Sequence, residues 1–203
     1  MDRKKHWEQI YGTKSPEEVS WYAPVPEVSL GFIEDSGIPK TAKILDIGGG
    51  DSFLVDHLLH LGYQDISVLD ISETAIERAK ARLGEQAKKV KWIVEDIANF
   101  QPDIQYDFWH DRAAFHFLTD EKEISDYVKI VGNHVVKEGF LVIGTFSEKG
   151  PEKCSGIQIQ QYSDSSMTNL FKDCFKRIKC IYTDHETPAG NIQNFVFCSF
   201  RKV

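Results

Sequence analysis

The sequence predicts an α/β fold of three layers, in which a mostly parallel sheet of seven strands lies between two layers of helices. Strand-like and helix-like segments alternate from residue 42 to residue 146, an order that produces parallel strands joined by right-handed crossovers. Two longer strand-like segments, 175–186 and 192–201, follow and are joined through Pro188-Ala189-Gly190-Asn191, which predicts an antiparallel hairpin. This closing hairpin distinguishes the chain from a dinucleotide-binding fold with six parallel strands.

The individual elements follow from apolar periodicity and from capping residues. Short apolar segments predict five parallel strands, at 42–47, 66–69, 90–94, 106–110 and 139–146. Helix-like spacing predicts helices at 51–61, 72–83, 120–136 and 163–171. Ser72 is an N-cap residue followed by an acidic first turn, and Gly62 stands where a helix ends.

The first 40 residues differ from the rest and form a separate helical and aromatic segment, so we expect the α/β domain to occupy residues 41–203. Helices are predicted at about 3–11 and 26–35, on either side of a proline-rich stretch. The segment carries four large aromatic residues, Trp7, Tyr11, Trp21 and Tyr22. They either form a lid that excludes water and offers ring faces to a cation, or simply pack the first helix.

Composition narrows the class of protein. The 203 residues are 41% apolar with a formal net charge of −7, which argues against a protein that works by neutralising nucleic acid phosphates. Apolar runs are too short to cross a bilayer, and no apolar stretch follows the basic N-terminus, so we expect no membrane partner and no secretory signal. The four cysteines contain no C-x-x-C pair, so we predict reduced thiols, no zinc or other metal, and a cytoplasmic location.

The glycine-rich loop Gly48-Gly49-Gly50 joins the first strand to a helix, where free N–H groups and a tight turn favour a ligand. A nicotinamide fingerprint starting at Gly48 would need glycine at position 53, where Phe53 stands. Asp46 precedes the loop and would repel a pyrophosphate but attract a cationic ligand. Asp46 could also merely orient the loop.

Two more acidic positions follow the next strands. Asp70 ends the second strand, 22 positions after Gly48, where a carboxylate can bind ribose hydroxyls. Glu95-Asp96-Ile97 follows the third strand, where a carboxylate and a backbone N–H can reach an adenine. Three acids beyond successive strands predict a site for a positively charged nucleoside.

These motifs resemble the class I S-adenosylmethionine-dependent methyltransferase family, over about residues 43–201. The resemblance implies a Rossmann-like fold, S-adenosylmethionine as cofactor and methyl transfer as the activity. It also implies a cofactor site formed by Asp46, Gly48, Gly49, Gly50, Asp70, Ile71, Asp96, Ile97 and Asp111. Ser52 departs from the family pattern, which often has a third glycine there, so the loop is expected to lie slightly differently.

The acceptor is expected at the end of the fourth strand, because ligands bind beyond the carboxyl ends of strands in open α/β sheets. His116 is the candidate general base, although a histidine between two phenylalanines is often only packed. Asp111 is the second candidate catalytic residue and would touch the cofactor's amino end or pair with Arg112. Arg112 would hold an anionic acceptor or form a structural ion pair. The predicted acceptor-binding residues are Trp21, Tyr22, Arg112 and Phe115.

The sequence therefore predicts a methyltransferase of a small molecule. The segment after Trp109 lacks the [DN]-P-P-[YF] pattern of amino-group methyltransferases of nucleic acids, and no cysteine follows a proline. Three alternatives stay open: a protein lysine methyltransferase, a nicotinamide-dependent oxidoreductase, and a relative that binds the cofactor without catalysis. Neither the acceptor nor the oligomeric state can be inferred from these motifs.

Overall fold

A computed structural model describes residues 2–203. The helices in this range are α1 (Arg3–Thr13), α2 (Glu27–Ser36), α3 (Leu54–His60), α4 (Glu73–Leu83), α5 (Glu121–His134) and α6 (Asp164–Phe171). The strands are β1 (Lys43–Ile47), β2 (Asp65–Asp70), β3 (Val90–Val94), β4 (Tyr106–Arg112), β5 (Val135–Phe146), β6 (Lys153–Cys154), β7 (Ile157–Gln158), β8 (Phe175–Glu186) and β9 (Ile192–Lys202). Short 3₁₀ turns lie at Pro16–Glu18, Gly84–Lys89 and Phe115–Phe117.

Seven strands form one sheet in the order β3-β2-β1-β4-β5-β9-β8. The first five strands are parallel, and β9 runs antiparallel to both β5 and β8. The predicted α/β fold with its closing hairpin is therefore confirmed. The hairpin of β6 and β7, whose strands have two residues each, was not predicted, because strands this short carry no periodicity.

Apolar side chains alternate between the two faces of the central strands, which gives a core on each side of the sheet. On β4, Phe108 belongs to one cluster and Trp109 to the other, and both are fully buried. This period of two is what a strand covered by helices on both faces requires.

Local boundaries follow the hydrogen bonds. The Ser72 hydroxyl accepts from the backbone N–H of Ala75, which confirms the predicted N-cap of α4. Helix α3 begins at Leu54 rather than Asp51, and the Ser52 hydroxyl accepts from the Leu54 N–H. Strand β4 continues two residues past its predicted end because Asp111 and Arg112 pair with β5.

The cysteine prediction was wrong for two of the four residues. Cys180 and Cys198 form a disulfide, whereas Cys154 and Cys174 are free thiols. The register of β8 and β9 places Cys180 directly opposite Cys198, with their Cα atoms 4.1 Å apart. Spacing in the sequence does not reveal that register. The disulfide removes the ground on which a reducing, cytoplasmic location was predicted.

The N-terminal segment, residues 2–40, lies against the carboxyl edge of the sheet. The Glu8 carboxylate accepts from the Ser72 hydroxyl at 3.1 Å and from the Glu73 N–H at 2.7 Å, so α1 supplies an anion to the N-terminus of α4. Arg3 pairs with Glu123 at the start of α5. These contacts tie α1 to two helices of the α/β domain. None of the helices within residues 2–203 is long and apolar enough to cross a membrane.

Candidate active site

A cavity lies at the carboxyl ends of β1, β2, β3 and β4, beneath the N-terminal segment. The sheet side contributes Asp46, Ile47, Gly48, Gly49, Asp51, Ser52, Phe53, Leu69, Asp70, Ile71, Glu95, Asp96, Ile97, His110 and Arg112. The N-terminal segment contributes Arg3, Trp7, Tyr11, Trp21, Tyr22 and Ser29. The remaining wall includes Ala113, Ala114, Phe117, Phe146, Cys154, Gln193 and Phe195.

The glycine loop is held tightly against the sheet. Gly48 has a φ of +67°, and its N–H donates to the Leu69 carbonyl at 2.8 Å. A Cβ atom on Gly49 would lie 2.2 Å from Oδ2 of Asp46, so a side chain there would collide with the carboxylate. Gly48 and Gly49 line the cavity, whereas Gly50 packs behind the loop against Asp70.

Asp46, His110 and Ser29 form a buried hydrogen-bonded chain at the floor of the cavity. Nδ1 of His110 lies 2.7 Å from Oδ1 of Asp46, and Nε2 lies 2.9 Å from the Ser29 hydroxyl. Because a carboxylate only accepts, Nδ1 of His110 is the donor to Asp46. These hydrogen bonds join β1, β4 and α2. Oδ2 of Asp46 is buried and has no partner in residues 2–203.

Asp70 braces the glycine loop from the end of β2. Its Oδ2 accepts from the Gly50 N–H at 3.0 Å, and its Oδ1 accepts from the Ser72 N–H at 2.8 Å. Burial raises the pKa of Asp70 to about 6, against the lowering effect of these two hydrogen bonds. Each carboxylate oxygen keeps a second lone pair for a ligand hydroxyl.

Asp96 and Ile97 lie after β3, at the other end of the cavity. Oδ1 of Asp96 accepts from the Ala98 N–H at 2.9 Å, and Oδ2 lies 3.7 Å from the Arg3 guanidinium. Ile97 is buried and offers an apolar surface. Arg3 therefore links α1 to this acidic end of the cavity.

Aromatic rings of the N-terminal segment cover the cavity. Trp7 lies edge-on to Trp21 at 5.7 Å and to Phe117 at 5.0 Å between ring centroids. Tyr22 lies edge-on to Phe53 of the glycine loop at 5.9 Å. Edge-to-face pairs at these separations stabilise packing, so the segment is anchored by the same rings that line the cavity.

Arg112 is half-buried at the end of β4 and faces the cavity. Its Nη1 donates to the Trp21 carbonyl at 3.3 Å. It forms no ion pair with Asp111 or with any other carboxylate of residues 2–203. Trp21, Tyr22 and Arg112 thus all line the cavity, and their role in binding an acceptor stays a prediction.

Asp111, Phe115 and His116 lie behind the cavity wall rather than in it. Asp111 accepts from the backbone N–H groups of Ala114 and Phe115 and from the Tyr127 hydroxyl, and burial raises its pKa to about 6. Phe115 is fully buried in the core. His116 is also fully buried, and burial lowers its pKa to about 3. Between Asp111 and Phe115 the backbone adopts a positive φ at Ala113 (+64°), which the sequence did not reveal.

The residues present fit S-adenosylmethionine. The unpartnered Oδ2 of Asp46 suits a cationic amine, and the free lone pairs of Asp70 suit ribose hydroxyls. Asp51, by contrast, is already neutralised by Arg78 at 3.3 Å and by Arg82 at 3.0 Å. Its charge is therefore already compensated within the protein.

His110 and Ser29 are site residues that the sequence analysis did not single out. His110 lies directly opposite Asp46 in the β1–β4 register, so the strand pairing could have identified it. Ser29 carries no local motif, because only the packing of α2 brings it to His110.

The three-layer fold brings acidic residues at or just after the ends of β1, β2 and β3 to one cavity. Residues 44–139 match the family model described as methyltransferase domain. The matched segment, 96 of the 203 residues, is therefore similar to a methyltransferase domain.

Individual relatives are more distant. The chain is 30% identical over 122 residues to the eEF1A lysine and N-terminal methyltransferase of Mus musculus, covering 59% of this chain and 17% of that protein. It is 30% identical over 118 residues to malonyl-[acyl-carrier protein] O-methyltransferase 2 of Ilyobacter polytropus, covering 58% of this chain and 43% of that protein. The chain thus spans less than half the length of each relative.

Among solved structures, the N-methyltransferase NodS from Bradyrhizobium japonicum WM9, in complex with S-adenosyl-L-homocysteine, superposes with a TM-score of 0.72. The superposition covers 99% of both chains at 14% sequence identity. At that identity the likeness extends to the fold.

Proposed function

We propose that this protein transfers a methyl group from S-adenosylmethionine to a small-molecule acceptor bound beneath the N-terminal segment. The observation that carries the proposal is the convergence of Asp46, Asp70 and Asp96 on one cavity, each just at or beyond the end of a different parallel strand. A phosphorylated nucleotide would be repelled by this arrangement, whereas a cationic nucleoside is attracted.

Each acidic residue has a proposed role. Asp46 binds the amino end of the cofactor through its unpartnered oxygen, with Gly48 and Gly49 allowing close backbone approach. Asp70 and Ile71 hold the ribose, and Asp96 and Ile97 hold the adenine. When bound, the cofactor supplies a methyl group on a sulfonium, which is activated for in-line displacement.

Positioning and exclusion of water carry the proposed catalysis. Trp7, Trp21 and Tyr22 line the cavity, and their proposed role is to exclude water when the cofactor and acceptor are bound. We leave His116 and Asp111 out of the proposed catalytic machinery, because both are buried behind the wall and His116 has a pKa of about 3. His110 uses both ring nitrogens within the protein, so it positions Asp46 rather than removing an acceptor proton.

A protein lysine is the second candidate acceptor. It is favoured by the match to the eEF1A lysine and N-terminal methyltransferase, a protein whose name gives lysine as a target. It is disfavoured by Arg112, since a cation beside the acceptor repels an approaching ammonium. The net charge of −7 disfavours nucleic acid. The cytoplasmic location stays a prediction.

Calorimetric titration with S-adenosylhomocysteine and with NADH tests the cofactor. We expect S-adenosylhomocysteine to bind and NADH not to bind; the reverse result would refute the proposal. Asp70→Asn should weaken S-adenosylhomocysteine binding, whereas Asp103→Asn, which changes an exposed aspartate outside the cavity, should not.

The acceptor class is tested separately. Release of S-adenosylhomocysteine is measured against a library of small molecules, and a proteome is incubated with radiolabelled cofactor. Turnover of a library member without labelled protein bands supports a small-molecule enzyme. Labelled bands without small-molecule turnover would shift the assignment to protein lysine.

A further inference from the structure

Arg112 is the one arginine in residues 2–203 without a carboxylate partner. The other five arginines each lie within 4 Å of an Asp or Glu oxygen, namely Arg3, Arg78, Arg82, Arg177 and Arg201. A guanidinium in a folded protein normally has such a carboxylate partner, because its charge cannot be removed by deprotonation.

The surroundings of Arg112 leave most of its donors free. One N–H of the five donates to the Trp21 carbonyl, and the guanidinium lies 5.7 Å from the centroid of the Phe195 ring. Asp46 is the acid whose charge acts on Arg112, but its Oδ1 is committed to His110. Burial and the charge of Arg112 both lower the pKa of His185. It therefore adds no negative charge.

Partial burial of the Arg112 guanidinium costs solvation free energy, and a bound ligand can compensate that cost. Burial lowers the pKa of Arg112, which reports the same unfavourable desolvation. A buried charge is stabilised when an opposite charge and hydrogen bonds compensate it. Because Arg112 lines the cavity, a bound anion could supply both.

The rest of the cavity restricts the kind of anion. Aromatic rings line the wall beside Arg112, including Trp21, Phe117, Phe146 and Phe195. The same cavity holds the carboxylates of Asp46, Asp70 and Asp96, which would repel a doubly charged phosphate more strongly than a singly charged carboxylate. A planar guanidinium also matches a carboxylate with two parallel hydrogen bonds. A single negative charge on an apolar body is the best fit.

We propose, building on the methyl transfer proposed above, that Arg112 binds a carboxylate of the acceptor and that the substrates are apolar or aromatic carboxylic acids. The free N–H groups of Arg112 hold the carboxylate, and the aromatic wall holds the body. An acceptor that enters as an anion also suits a cavity whose one histidine is hydrogen-bonded on both ring nitrogens.

The probes are matched pairs that differ in charge. Acetate, phenylacetate and indole-3-acetate are each compared with their amide by calorimetry, on the protein saturated with S-adenosylhomocysteine. We expect at least one acid to bind about tenfold more tightly than its amide, which corresponds to 1.4 kcal/mol. Arg112→Gln should abolish that preference, Arg112→Lys should retain part of it, and Arg177→Gln, which lies outside the cavity, should leave it unchanged.

The carboxylate could also belong to the cofactor's methionine part, and the same titrations distinguish the two sources. If Arg112 binds the acceptor, Arg112→Gln changes the affinity for S-adenosylhomocysteine less than twofold. If it binds the cofactor, the variant loses about tenfold for S-adenosylhomocysteine but nothing for 5′-methylthioadenosine, which lacks the amino-acid part. That second pattern would overturn the acceptor assignment.

Two further results would also overturn the assignment of Arg112 to the acceptor. Wild-type protein in which no acid binds more tightly than its amide contradicts the proposal, as does a preference that survives Arg112→Gln. Failure of S-adenosylhomocysteine itself to bind would instead contradict the proposed methyl transfer. The two failures are therefore distinguishable in a single set of titrations.

Discussion

Nδ1 of His110 lies 2.7 Å from Oδ1 of Asp46, and each residue is 2% exposed. The contact joins two neighbouring parallel strands at the point where the glycine loop leaves the sheet. It fixes one oxygen of Asp46 and leaves the other, which is also buried, without a hydrogen-bond partner in residues 2–203. The orientation of Asp46 is thus set by a residue from β4.

Replacing His110 should show how much the buried pair of His110 and Asp46 contributes to the free energy of unfolding. His110→Phe leaves the Asp46 carboxylate buried without a donor, so the free energy of unfolding should fall by about 3 kcal/mol. Ser29→Ala removes the outer hydrogen bond alone and should cost about 1 kcal/mol. Urea denaturation of the three proteins measures both values. Equal losses would show that Asp46 does not depend on His110.

Binding of the cofactor should depend on pH through Asp70. Burial raises the pKa of this carboxyl to about 6, so the free protein holds a proton there at lower pH. Ribose hydroxyls donate to the ionised form, so affinity for S-adenosylhomocysteine should fall about tenfold for each pH unit below 6 and level off above it. Asp70→Asn should bind weakly with a flatter profile. Asp111 has a similar pKa but lies outside the cavity, so a profile unchanged by Asp70→Asn would exclude Asp70 as the titrating group.

Gly49 should tolerate no side chain. Gly49→Ala places a Cβ atom 2.2 Å from Asp46 Oδ2, so the loop must move and S-adenosylhomocysteine affinity should fall at least about tenfold. Gly12→Ala is the matched control, because nothing lies within 4 Å of its Cβ position and alanine is favoured in the interior of α1. Thermal unfolding and calorimetry on both variants test the difference.

Glu8 should hold the N-terminal segment in place. Glu8→Gln weakens the anion that caps α4, so hydrogen exchange in α1 should accelerate and cofactor affinity should decrease severalfold. Glu17 is exposed and makes no side-chain hydrogen bond among the described residues, so Glu17→Gln should alter neither quantity. Unchanged exchange in Glu8→Gln would mean that aromatic packing alone anchors α1.

The disulfide should stabilise the closing hairpin. The bond between Cys180 and Cys198 spans 18 positions, a loop for which chain entropy predicts about 3 kcal/mol. Cys180→Ser should therefore lower the melting temperature, whereas Cys174→Ser, at a free thiol, should not. Thiol counting by mass spectrometry under non-reducing conditions should find two free cysteines; four would refute the cross-link.

The sequence by itself determined the order of strands and helices and the acidic residues that end three of the strands. Both depend on local information: the apolar period identifies each strand, and Asp46, Asp70 and Asp96 stand next to strand ends in the chain. Parallel strands then bring their carboxyl ends to one edge, so the cofactor side of the site could be anticipated.

The tertiary structure decided which residues near that edge reach the cavity. Alternation along β4 places His110 and Arg112 at the cavity but not Asp111, whereas His116, beyond the strand, lies in the core, where burial lowers its pKa. Likewise, the partner of His110 and the bond between Cys180 and Cys198 depend on strand register. Register and burial arise from contacts between residues far apart in the chain, and such contacts leave no local pattern in the sequence.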